Sequence, residues 1–116
     1  MREEQFDPVS ILPGWAREFT AGNNGVPFTG IERMKLAIEL SGMNISHGTG
    51  GPFGAAVFDR SDGRLVSVGV NLVVRSNCSH AHAEMAALAI AQHTLSTYSL
   101  FSPDGPGYEL ATSCEP

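Results

Sequence analysis

His82 and Glu84 are the residues of this chain best placed to do chemistry. They stand two apart in Ser79-His80-Ala81-His82-Ala83-Glu84, at the head of the apolar run from Met85 to Leu95. An imidazole there is a metal ligand and the carboxylate beside it a proton carrier. Residues two apart do not face each other along a regular helix. The pair can share a site only where the helix meets that site end-on. At that end the first N–H groups and the positive pole of the dipole aim at one point and favour negative charge. The plainer alternative is a histidine that caps the helix and a glutamate that faces solvent.

A second stretch, Thr112-Ser113-Cys114-Glu115-Pro116, brings a proline 34 positions after His82. That interval holds a helix, a loop and a strand. A proline after a strand suits the first turn of a following helix. A cysteine placed after it would have its thiolate stabilised at that helix end. One histidine and two such cysteines make a three-ligand zinc site with the fourth position left for water. Cys78, His80, His82 and Cys114 form a different zinc cluster by composition alone. Otherwise Cys114 reads as a buried strand-end residue and Cys78 as a loop or helix-entry residue. His47 and His93 read as exposed or structural.

Several elements must hold these groups. Residues 1–28 carry Pro8, Pro13, Gly14, Gly22, Gly25 and Pro27. Breakers at that density predict an irregular arm with one short helical turn around Trp15 to Phe19. Those two rings, at helical spacing, staple the arm to the core rather than stack on a substrate. Thr29 is an N-cap candidate for a helix from Gly30 to Ser46, with Gly48 as its stop. Ile31, Met34, Ala37, Ile38 and Ser41 form its expected buried face, and Glu32, Arg33, Lys35 and Glu39 point the other way. His47 to Gly54 is glycine-rich, yet it follows a helix and opens a strand and lacks a Gly-Lys-Ser/Thr ending. It is therefore no phosphate cradle, and its glycines let backbone pass close to a turn or a ligand. Phe53–Asp59 and Leu65–Val74, joined through Asp62-Gly63, read as a hairpin whose first strand is covered on both faces. A second long helix is expected from His80 to Ser96, apolar on two faces and hence buried. Tyr108–Thr112 reads as a third strand.

The chain has 116 residues, 42% of them hydrophobic, which fits one domain with a small core. The formal charge of −5 comes with no long basic run. A nucleic-acid backbone is thereby disfavoured as the main partner. Two cysteines make no disulfide framework, the N-terminus has no signal-peptide core, and no apolar run spans a bilayer. A reducing cytoplasm is the default expectation.

The pieces together resemble the cytidine deaminase-like superfamily of zinc-dependent nucleobase and nucleoside deaminases, whose signature is His-x-Glu followed by Pro-Cys-x-x-Cys. Three segments carry the likeness: Gly50-Gly51-Pro52-Phe53-Gly54-Ala55-Ala56-Val57, His82-Ala83-Glu84, and Thr112-Ser113-Cys114-Glu115-Pro116. The first and third look most like the guanine deaminases of bacteria. The resemblance implies a three-layer α/β/α sandwich of which residues 29–116 form the N-terminal part, preceded by the arm 1–28. It implies zinc held by His82 and by two cysteines after Pro116, where this sequence stops. It makes Glu84 the proton shuttle and Ala83 a backbone donor to the substrate. Asn71 becomes the amide that hydrogen-bonds a purine, with a strand-end turn residue as its plain alternative. Phe53 becomes a pocket aromatic rather than core, and Pro116 lines the pocket. The implied reaction is guanine to xanthine plus ammonia in a homodimer, with the rest of the domain supplied by continuing polypeptide or a second chain. Rival readings are a cytidine or other amino-heterocycle deaminase, a tRNA adenosine deaminase, and a catalytically incomplete binding domain.

Overall fold

The computed structural model describes residues 12–72, 82–97, 99–100 and 105–113. Its elements run α1 (Gly14–Asn23), α2 (Gly30–Ser46), β1 (Gly54–Asp59), β2 (Leu65–Val70), α3 (Ala83–Thr94) and β3 (Tyr108–Thr112). The strands make an antiparallel sheet in the order β2-β1-β3. Successive side chains of a strand point to opposite faces, and β1 divides its residues accordingly. Ala56 and Phe58 join the core under α1 and α2, with Leu36, Leu40, Val68 and Val70. Ala55 and Val57 join a second core under α3, with Ala83, Ala87 and Ala91. The result is an α/β/α sandwich with β1 covered on both sides, as its unbroken apolar sequence requires.

Two glycines let the helices approach this closely. A Cβ on Gly54 would lie 2.6 Å from the Ala37 carbonyl oxygen of α2. A Cβ on Gly69 would lie 2.2 Å from the Ala83 carbonyl oxygen of α3. Gly69 is the rung partner of Ala55, next to Gly54. Both helices therefore press backbone to backbone on the sheet at one end.

Helix α2 begins on a complete capping box. The Thr29 hydroxyl accepts from the Glu32 N–H, and the Glu32 carboxylate accepts from the Thr29 N–H at 2.8 Å. Its end is marked by Gly48, at φ +66°. Its buried face is not the expected one. Leu36, Ala37, Leu40 and Asn44 are buried, whereas Ile31, Met34 and Ile38 are exposed. Tertiary contacts choose between two apolar stripes here. The Gly54 gap receives the Ala37–Ser41 backbone. Arg33, expected outside, reaches Glu109 of β3 at 3.2 Å and lies over the Phe58 ring.

The region expected to be an irregular arm contains α1, ten residues long rather than one turn. Pro13 occupies its N-cap and Gly25, at φ +78°, follows its end, so the breakers punctuate the helix instead of preventing it. Trp15 and Phe19 pack against the core, as stapling requires. The Gly25 and Phe28 amides donate to the Leu65 and Gly63 carbonyls, which fastens the following residues along the start of β2. Helix α3 buries Ala83, Ala86, Ala87, Ile90 and Ala91; of its second expected face Leu88 packs partly against the core, while Met85 is half exposed. Strand β2 ends at Val70, short of the expected Val74.

Candidate active site

The head of α3 and the C-terminal ends of β2 and β3 meet at one end of the sheet. Gly69 of β2 touches Ala83 and Ala87 of α3. One residue further, Val70 is the rung partner of Gly54. On the other side of β1, the Ser113 hydroxyl accepts from the Gly54 N–H, and the Ser113 N–H donates to the Gly54 carbonyl, both at 2.9 Å. Ser113 leads directly into Cys114-Glu115-Pro116. The topology thus aims the His-x-Glu segment and the strand before Pro116 at the same edge.

His82 is the N-cap of α3, in extended backbone, with its side chain exposed and making no cap hydrogen bond. The capping alternative for this histidine does not hold. Glu84 lies in the first helical turn and is half-buried. A carboxylate there meets the positive end of the helix dipole. Ala83 is buried against β2.

Asn71 lies just past β2, half-buried, with its N–H donating to the Phe53 carbonyl at 3.2 Å. Phe53 is 37% exposed, so it is not a core aromatic, although it immediately precedes a fully buried strand. Pro116, Cys78, His80 and Cys114 lie outside the described residues; α3 itself begins at Ala83, after the extended His82, and not at the expected His80.

Sequence reasoning missed the group that ties this end together. Asn44 is fully buried on the inner face of α2. Its Nδ2 donates to the Gly51 carbonyl at 2.9 Å and to the Asn71 carbonyl at 3.1 Å. Its Oδ1 accepts from the Thr49 hydroxyl at 2.6 Å, and that hydroxyl in turn accepts from the Trp15 indole N–H at 3.0 Å. Trp15 stacks on His47, with ring centroids 5.0 Å apart. Gly50 passes so close that a Cβ would fall 2.2 Å from the Asn71 oxygen. The glycine-rich loop is therefore a clasp around the backbone of Asn71. The available signal was an amide in the stripe Ala37, Leu40, Asn44, where a buried polar group must find partners.

Among the described residues, no three His, Cys, Asp or Glu side chains gather into a metal-holding group. His82 fits as one donor, because its imidazole is exposed and unused by the helix.

A sandwich of this order, with His-x-Glu heading a helix that abuts the sheet, is the frame of a zinc-dependent deaminase. The chain belongs to the family described as the cytidine and deoxycytidylate deaminase zinc-binding region, which it matches over residues 30–116. Zinc is the metal that this membership implies. The chain is 39% identical over 83 residues to the guanine deaminase of Bacillus subtilis (strain 168), covering 72% of this chain and 49% of that protein. A solved guanine deaminase structure from Nitrosomonas europaea superposes with a TM-score of 0.79 at 42% identity, covering 90% of this chain and 57% of the other. A further structure, solved in complex with 2,6-diaminopurine, gives the same TM-score and identity over 90% of this chain and 55% of its own. The chain therefore spans about half the length of the relatives it matches. Among the described residues, no helix is long and apolar enough to cross a membrane.

Proposed function

We propose that the protein carrying this chain hydrolyses guanine to xanthine and ammonia. The observation that carries this reading is the meeting of the α3 head with the clasped backbone of Asn71 at one end of the sheet. Its likeness to guanine deaminases supports the choice of base. Residues 29–116 are the N-terminal part of the deaminase domain in this reading, and residues 1–28 precede it.

His82 would be one zinc ligand, with two cysteines following Pro116 as the others. Bound zinc supplies Lewis-acid activation of water at neutral pH. The chain's own residues supply the rest. Glu84 takes a proton from the attacking water and delivers it to a purine ring nitrogen. It then takes the second proton from the added hydroxyl, as the carbonyl forms, and passes it to the amino group, which leaves as ammonia. A half-buried carboxylate at a helix head suits movement of a proton in both directions. The Ala83 N–H and the Asn71 side-chain amide hold the edge of the base. Phe53 packs against its face, and Pro116 closes the wall beside the metal. The acidic balance of the chain fits a free base better than a nucleic acid, and the protein works as a homodimer in the cytoplasm.

Ammonia release by the complete protein from guanine, adenine and cytidine tests the assignment, and guanine is expected to lead. Asn71→Ala should lower kcat/KM on guanine by the equivalent of about 1–3 kcal/mol, the scale of one buried polar partner lost. Cytidine in first place would overturn the choice of base.

A further inference from the structure

We infer that Asn44 is the positioning residue of the base pocket, holding the backbones of Phe53 and Asn71 in fixed relation, and that α1 keeps it in register through Trp15. The inference rests on the reading of Asn71 and Phe53 as groups that hold the base.

The hydrogen bonds around this asparagine close a ring. Its Nδ2 donates to the Gly51 carbonyl at 2.9 Å and to the Asn71 carbonyl at 3.1 Å. The Gly51 carbonyl also accepts from the Phe53 N–H at 2.8 Å, and the Phe53 carbonyl accepts from the Asn71 N–H at 3.2 Å. The path runs from Asn44 through Gly51, Phe53 and Asn71 and back to Asn44. Phe53 precedes β1 and Asn71 follows β2, so one side chain from α2 ties together the segments that carry both groups. The ring has no slack. A Cβ on Gly50 would fall 2.7 Å from the Asn44 Nδ2 as well as on the Asn71 carbonyl. Asn44 is fully buried, so water does not compete for these bonds.

The ring closes with the amide one way round. With Oδ1 and Nδ2 exchanged, an oxygen would face two carbonyl oxygens and both bonds would be lost. Thr49 selects the working orientation. An indole N–H can only donate, so the Thr49 hydroxyl accepts from Trp15 at 3.0 Å and turns its own proton to Asn44 Oδ1 at 2.6 Å. His47 lies against the indole with the ring planes 10° apart, which fixes the direction of that N–H. Trp15 stands before residues 30–116, the part that matches the deaminase family. Helix α1 thus acts on the base pocket without touching the base. An asparagine that served stability alone would affect the melting temperature and leave substrate affinity unchanged.

Thr49→Val and Trp15→Phe in the complete protein test the inference, since each removes one polar link and keeps most of the packing. Thr49→Val should raise KM for guanine about tenfold, with a smaller change in kcat, the scale of a base held slightly out of place. Thr49→Ser keeps the hydroxyl and should recover most of the affinity. Trp15→Phe should raise KM in the same direction, by at least about twofold. In an Asn71→Ala background, Thr49→Val should cost less than about threefold, because one of the groups being positioned is already gone. A full, additive loss in that background would overturn the inference. So would a wild-type KM in Thr49→Val or, should that variant not fold, in Trp15→Phe. A costly Asn71→Ala beside silent variants at 15 and 49 strikes this inference alone. An Asn71→Ala protein with unchanged kcat/KM strikes the reading of Asn71 itself, and this inference falls with it.

Discussion

The two long helices start in opposite ways. Thr29 turns its hydroxyl onto the first turn of α2, and Glu32 closes the box from the other side. The Thr29 N–H and hydroxyl hold the Glu32 carboxyl below its ordinary range. Both cap side chains at that helix head are spent on the helix. At α3 the N-cap is His82, whose side chain caps nothing, and the acidic residue comes two positions later, where it cannot close a box. A cap contributes about 1 kcal/mol, and α3 forgoes it. The difference is that the head of α3 leaves its N-cap side chain exposed and unused by the helix, while the backbone of this first turn packs on Gly69.

Exchanging those roles tests the contrast, beginning with the largest effect. In the complete protein, Glu84→Gln should keep zinc and lose turnover by a factor on the order of hundreds or more. Metal content and ammonia release, measured on the same sample, check both halves. His82→Ser gives α3 the cap it lacks. It should lose zinc and activity while the fold, followed by chemical denaturation, becomes no less stable. Thr29→Ala is the mirror image, with a loss of about 1 kcal/mol in stability and kcat/KM on guanine unchanged. If Thr29→Ala instead abolished turnover, the division of labour between the two helix heads would be wrong.

The smallest effect lies at the far end of the sheet. The Asp59 carboxylate accepts from the Ser61 hydroxyl at 2.6 Å and from its N–H at 2.9 Å. These bonds, the hydroxyl's first, hold the carboxyl below its ordinary range. A group whose folded value is depressed stabilises above its unfolded value, and the contribution is lost as pH falls through the folded value. Ser61→Ala should therefore be slightly less stable than wild type at neutral pH. The two denaturation curves should converge in acid.

How much of this was legible in the sequence follows the range of each signal. The bounds of α2 and β3 and the position of the hairpin rest on neighbours in the chain: Thr29 with Glu32, Gly48, and Asp62-Gly63. The buried face of α2 was not legible, because the helix carries two apolar stripes of similar quality. Gly54 and Arg33, which decide between them, act through tertiary contacts. Helix α1 was expected as a single turn around Trp15 to Phe19, shorter than it is, because Pro13 and Gly25 were read as breakers of a segment they in fact delimit. Within the site, His82 and Glu84 stand out by type and spacing. Asn44 does not, since its partners are backbone atoms 7 and 27 positions away.

The glycine pair at the site end carries a mechanical consequence. Between the first turn of α3 and the middle of α2 lie only Gly69, its rung partner Ala55 and the adjacent Gly54, each helix resting its main chain on the sheet. Side chains are the compliant part of a protein interior, because they change rotamer, and none intervenes at Gly54 or Gly69. At Gly69 and at Gly54 a displacement of either helix along the sheet normal therefore meets sheet backbone directly. The sandwich at this end is a strut of main chain between the helix that carries Glu84 and α2.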